Sequence, residues 1–303
     1  MKKSFFITIL SSLLFSWSCN DGDIITFEFD FEDTFKACGI TDLVFYKTKE
    51  EPSESLSIFL TNITIDDILD FEGNENTITK TSIFNYRTYN NTNLPNNLFC
   101  SDVPPAEVKI TEDYESNSTA IIDVILTRDD NDGIPAALED ENIDGDNDPS
   151  TNPTDTDGDD IPNYLDVDDD GDNILTKNEN PDPNDDGFLD DAQDTDGDGT
   201  PDYLDNDDDG DGVLTRDEET DTQDLDPRND VSDNTIGPDY LNKDIDIPVP
   251  ASAYRTHNVV LDYLVSAKVL GISLEILSQD ELDFGILEDS RLTKSEELIP
   301  VFN

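Results

Sequence analysis

Histidine is almost missing from this chain of 303 residues, occurring once, at His257. That inventory excludes histidine-rich zinc sites and most metallohydrolase centres, whose ligand sets need two or three imidazoles. The single tryptophan, Trp17, lies in an N-terminal apolar stretch expected to be cleaved off, so the commonest sugar-stacking side chain is lost on maturation. Basic residues are scarce, 17 against 74 acidic, for a net charge of −57. Such a polyanion has no term with which to release phosphate counterions, which excludes nucleic acid as a partner. The apolar stretch from Phe5 to Trp17 is too short to span a bilayer, which takes about 20 residues. Catalytic groupings are lacking too. His257 falls on an expected strand with Val259 and Leu261, and no local motif supplies it with a nucleophile and an orienting acid. Carboxylates are everywhere, and none is set apart by apolar surroundings as one of a glycosidase pair would be. We therefore expect no enzyme.

What the chain has in abundance is aspartate in register. Residues 168–179 and 207–218 are twelve-residue stretches thirty-nine positions apart. Calcium is a hard cation that takes six to eight oxygens, and a loop can supply them from carboxylates at positions 1, 3 and 5, a backbone carbonyl at 7 and an acid at 12. In the first stretch these are Asp168, Asp170, Asp172, Ile174 and Glu179, and in the second Asp207, Asp209, Asp211, Val213 and Glu218. Position 6, a turn that glycine makes without steric cost, holds Gly212 in one and Asn173 in the other. The same spacing recurs upstream of each, as Asp155, Asp157, Asp159, Asn163 and Asp166, and as Asp194, Asp196, Asp198, Asp202 and Asp205. A fifth stretch begins correctly with Asp182, Asn184 and Asp186 but ends on Gln193. Fainter echoes at residues 134–139 and 237–242 flank the series, as terminal repeats of an array tend to do.

Residues 129–246 carry 44 of the acids and 4 of the bases. One reading of such a stretch is a disordered, self-repelling polyanion. Against it stands the register: Asp at alternate positions, Gly or Asn at the sixth, and a recurring Pro-x-Tyr-Leu phrase. Facing carboxylates tolerate one another when a cation compensates them, so calcium binding and folding of this segment are expected to be one event.

On these residues the segment resembles thrombospondin type 3 repeats and the related acidic calcium-repeat modules of bacterial surface proteins. The loops at Asp168 and Asp207 also resemble dockerin or EF-hand loops. No cysteine lies in residues 129–246, so no disulfide holds these repeats and calcium alone is expected to order them. Residues 219–224 offer no amphipathic helix for a dockerin-type partner.

The N-terminus reads as a signal peptide, residues 1–18: Met1-Lys2-Lys3, a short apolar middle, then Ser18 before Cys19. A cysteine after the small residue resembles the lipobox of bacterial lipoproteins, which implies lipidation of Cys19, a tether over residues 19–24 and an outer-membrane, surface-exposed address. Ordinary cleavage near Ser18, leaving a free thiol, is the rival. With Cys19 lipidated, Cys38 and Cys100 remain as an even pair in an exported domain, the arithmetic of one disulfide.

Outside the acidic array the hydrophobic period is two. Ile25, Phe27, Phe29 and Phe31 alternate with polar residues, as do Leu56, Ile58 and Leu60, and Ala120, Ile122, Val124 and Leu126. Further strands are expected at residues 43–47, 77–89 and 108–111, with a helical turn at 65–69. After the array, strands are expected at 254–266, 268–277 and 282–287. The expected architecture is mainly β: an antiparallel β-sandwich over residues 25–128, the calcium array inserted over 129–246, and residues 247–303 completing the sandwich. Three units in a row are the alternative. The function expected is that of a calcium-binding surface lipoprotein, held to the membrane by its lipid and acting as a structural, spacer or adhesion module toward an extracellular protein or glycan. The alternative is a carbohydrate-binding accessory lipoprotein of a glycan-uptake system, with Tyr86, Tyr89 or Tyr254 stacking on sugar.

Overall fold

A computed structural model describes residues 29–101, 103, 105–139, 145, 148–219 and 223–302. The expected signal peptide, Cys19, the expected tether and Ile25 and Phe27 of the first expected strand lie outside the described residues.

The described residues form eight strands, of which the first and last were not among those expected: β1 Thr34–Cys38, β2 Leu43–Glu50, β3 Ser53–Leu60, β4 Glu75–Tyr89, β5 Ile110–Asp129, β6 His257–Ser273, β7 Ser278–Leu287 and β8 Thr293–Leu298. Their pairing corrects the sandwich. Strands β5, β4, β3, β2, β1, β7 and β6 are hydrogen-bonded in that order, and β6 pairs in turn with β5, so seven strands close on themselves as a barrel. Nor is the sheet antiparallel throughout: β1 and β7 meet in parallel, Thr34 opposite Ile286 and Phe35 opposite Leu287. The remaining pair, β8 against the first residues of β6, extends the wall beyond β7.

Alternation assigns each strand an inner and an outer face, but it is the same in a sandwich and in a barrel, so it does not choose between them. Strand length and closure decide. β4, β5 and β6 run to 15, 20 and 17 residues, long enough for each to serve neighbours on both sides. The closing contact needs a glycine. At Gly285, φ is +86°, and any Cβ there would collide with the Asp33 carbonyl. That carbonyl accepts from the Ile286 amide at 2.9 Å, and the Phe35 carbonyl accepts from the Glu288 amide at 2.8 Å.

The barrel interior is a single apolar core. Phe35, Phe45, Phe84 and Phe284 are fully buried, with Phe35 4.8 Å from Phe45 and 5.4 Å from Phe284 between ring centres. A short helix, α1 (Ile65–Leu69), packs Ile65, Ile68 and Leu69 into the same cluster and starts on a capping box in which Thr64 and Asp67 satisfy each other's amides. Phe29 and Phe31 are not strand residues; Phe29 sits edge-on against Phe84 and Tyr86 at 5.8 and 5.3 Å. The two expected strands of residues 254–266 and 268–277 are one, β6. Likewise the segments at 108–111 and 120–126 are one strand, β5. Cys38 at the end of β1 is disulfide-bonded to Cys100, tying the long β4–β5 connection to the wall beside stacked Tyr46 and Phe99.

The acidic segment leaves the barrel at the end of β5 and returns at the start of β6, and these two strands pair from Asp129 opposite Val260 to Thr119 opposite Leu270. Between them the described residues form loops and single 3-10 turns.

Candidate metal centres

Each acidic loop is built by its own aspartates. A carboxylate accepting the amide two residues on makes a small turn that needs no other partner. Asp157 accepts from Asp159 at 3.0 Å and Asp159 from Ile161 at 2.7 Å; Asp196 accepts from Asp198 and Asp198 from Thr200, both at 2.8 Å. Asp209 and Asp211 repeat the pattern onto Asp211 and Val213 at 3.1 and 2.7 Å, and Asp172 onto Ile174 at 2.6 Å. One oxygen of each carboxylate is consumed in this way. The other, in Asp159, Asp172, Asp209 and Asp211, is buried with no hydrogen-bond partner.

Within these loops the carboxylates gather. Asp155, Asp157 and Asp159 bring oxygens within 4.8 Å of one another, as do Asp194, Asp196 and Asp198, and Asp207, Asp209 and Asp211. The loop starting at Asp168 differs. Asp168 uses both oxygens on the amides of Asp172 and Asn173, and the group that forms is Asp170, Asp172 and Glu179 with Asp208, all four buried. Asp208 is the second residue of another loop, a position the single-loop pattern leaves unused.

The position-9 residues turn back onto their own loops: Asn163 joins Thr156, and Asp202 accepts from the Thr195 amide and hydroxyl at 2.7 Å each. Of the position-12 acids, Asp166 and Asp205 accept from the amides of Asp168 and Asp207, while Glu218 faces Asp209 and Asp211. Ile174 is buried and Val213 half-buried, their amides fixed as above. Asp182 folds onto the amides of Asp186 and Gly187, and Asn184 and Asp186 are exposed, so this fifth stretch gathers no group of three acids among the described residues.

Burial of so many acids leaves its mark on their proton affinity. Burial raises Asp170, Asp172 and Glu179 well above the ordinary carboxylate range, and neighbouring acids add to it. Asp166 and Glu218 are each pushed up to about 9, chiefly by burial, with acidic neighbours adding to it. A compact array of ionised carboxylates therefore needs positive charge, and its four basic residues do not supply it. Arg228, for instance, pairs with Asp226 at 2.8 Å. The gathered groups consist of carboxylates alone, with no histidine or cysteine among them; free, buried carboxylate oxygens are the ligand set of a hard divalent cation, and the donor chemistry fits calcium.

The array is also fastened to the chain that returns to the barrel. Asn173 stands at φ +74° where glycine would be easiest, and its carboxamide explains the choice: it donates to the Ala253 carbonyl and accepts from the Arg255 amide at 3.1 Å. Asp217 accepts from the Ala251 amide at 2.8 Å. His257, the first residue of β6, is buried with Nδ1 2.7 Å from Asp166 Oδ1. Packing between loops is equally close, for a Cβ at Gly171 or Gly210 would strike Asp157 or Asp196. Tyr86, Tyr89 and Tyr254 are buried, so none offers a stacking face to a sugar.

Residues 129–190 match the family model BamM C-terminal, a span well under half of the chain. No curated protein and no solved structure matches the chain. The likeness to thrombospondin type 3 and EF-hand loops rests on the loop residues alone.

Proposed function

We propose that this chain is a calcium-binding lipoprotein of the bacterial outer membrane in which a β-barrel carries an acidic array that calcium makes rigid, serving as a structural, spacer or adhesion module. The observation that carries the reading is the set of buried carboxylate oxygens left without partners in the array, with too few cations in the chain to neutralise them. Two further features support the address. The N-terminus resembles a lipoprotein signal ending at Cys19, and the likeness of residues 129–190 to the BamM C-terminal family points to association with the outer membrane.

In this reading the loops supply oxygens and the barrel supplies the fixed base. Each filled loop removes the repulsion that would otherwise open it, so binding energy becomes folding energy. An array ordered in this way is stiff when calcium is at extracellular levels and loose when it is withdrawn. Limited proteolysis tests it: millimolar calcium should protect residues 129–246, chelator should open them, and half-protection should fall at about 10⁻⁴–10⁻³ M. The same digestion pattern in calcium and in chelator would refute the reading.

A further inference from the structure

The stretch that leaves β5 carries acids that no single loop motif claims. Asp130, Asp132 and Glu139 are buried and bring carboxylate oxygens within 4.8 Å of one another. Asp130 and Asp132 each spend one oxygen on a backbone amide, of Asp132 at 3.0 Å and Ile134 at 2.8 Å. Their second oxygens and both oxygens of Glu139 have no hydrogen-bond partner. Asp169, from the loop some forty residues on, is 1 % exposed, and both its oxygens are unpartnered as well. It lines the same cavity as Glu139, of about 110 Å³, along with Tyr203. The charges that act on Asp169 are those of Glu139, Asp132, Asp166 and Asp130, all acidic.

The arrangement occurs twice. Asp170, Asp172 and Glu179 lie forty positions after Asp130, Asp132 and Glu139, and Asp208, thirty-nine after Asp169, completes their group. Tyrosines repeat with them: Tyr203 feels Asp169, Glu139 and Asp132, while Tyr240 feels Asp208, Glu179 and Asp172. The three acids at matching positions gather in both places; Asp208 lies within the second group, and Asp169 stands beside the first across the cavity it shares with Glu139, so the recurrence is not expected of an incidental cluster of acids.

We propose that Asp130, Asp132, Glu139 and Asp169 form a divalent-cation site that joins the exit of β5 to the loop beginning at Asp168, and that Asp208 with Asp170, Asp172 and Glu179 forms its copy one repeat further. This deepens the calcium reading above and rests on it. Calcium suits the site because six buried carboxylate oxygens from four acids match its coordination number, and an ion held there would link the two repeats they come from. The acid at the second position of each such loop thus belongs to the repeat before it. The array is then a series of cross-linked repeats rather than a string of independent loops, and its first link is anchored at the barrel.

Calcium binding to the full chain, measured by equilibrium dialysis after chelator treatment, tests this with the isosteric variants Asp169→Asn and Asp208→Asn and the exposed control Asp190→Asn. Each of the first two should lose one bound calcium, or bind it roughly tenfold or more weakly, while the control matches the unaltered chain. Because an amide in place of a buried carboxylate relieves repulsion, the variants remain foldable, and the apolar-core unfolding transition of the barrel confirms it. Protease should cut Asp169→Asn near residues 130–139 at calcium levels that protect the unaltered chain. Unchanged stoichiometry and affinity in both variants, with the unaltered chain binding calcium, would overturn the cross-repeat sites and leave the calcium reading standing. An unaltered chain that binds no calcium would overturn both.

Discussion

The barrel and the array are made from one chain and held together by opposite means. In the barrel the interior is apolar, with Phe35, Phe45, Phe84 and Phe284 packed at its centre, and the backbone is satisfied by ladders that run around the ring. In the array the interior is aspartate and glutamate: Asp168, Asp170, Asp172 and Glu179 are as deeply buried as the barrel's phenylalanines. Apolar burial stabilises the first without any outside agent. The second accumulates like charge as it compacts and must be compensated. Calcium dependence should therefore stop at the boundary between the two, near Asp129 and His257.

The sharpest way to break this contrast is pH in the absence of metal. Glu139 is pushed to about 10, and Asp166 and Glu218 to about 9, chiefly by burial. Their folded values lie above the unfolded ones, near 4, so the folded array binds more protons than the unfolded one. Its stability is full below about pH 4 and is lost progressively as pH rises toward 9–10. With chelator present, residues 129–246 should resist protease at pH 4.5 and be cut rapidly at pH 8, the barrel surviving both. Equal resistance at the two values would show that the buried acids are compensated by something other than protons or calcium.

Next in size is the core. Phe84→Ala should destabilise the barrel by about 3–5 kcal/mol through the cavity it leaves, read by denaturant unfolding, with calcium binding to the array unchanged. A parallel loss of calcium affinity would mean that the two regions fold as one unit. Replacing Cys38 or Cys100 by serine should cost the barrel about 2–4 kcal/mol, as the disulfide closes a long loop, and should likewise spare the array. The smallest effect probes the seam. Asn173→Gly relaxes a left-handed backbone but forfeits the bonds to Ala253 and Arg255, and a net loss of about 1 kcal/mol in array stability is expected. A gain instead would show that backbone strain outweighs the fastening to the returning chain.

Much of this is legible in the sequence alone. Strands β2, β3 and β4, the α1 turn and the pairing of Cys38 with Cys100 follow from local pattern and cysteine arithmetic, because alternation and an even thiol count are properties of short stretches of chain. The aspartate ladders were legible for the same reason. An Asp that accepts the amide two residues on is a local device, and its spacing survives in the sequence.

Other features depend on which distant segments meet, and no local pattern encodes that. Seven alternating strands make a sandwich or a ring equally well, and the choice was settled by β1 lying parallel to β7 at Gly285, some 250 residues away along the chain. The union of Asp208 with Asp170, Asp172 and Glu179, and the facing of Asp169 and Glu139, likewise required the loops to be stacked. Their trace in the sequence is a spacing of about forty residues, visible once the stacking makes it meaningful. Residue types and their short-range rhythm thus determined what this protein is made of, strands and oxygen-rich loops. Tertiary structure decided how the sheet closes and which carboxylates share a charge, since both depend on contacts whose energy arises only when remote parts of the chain come together.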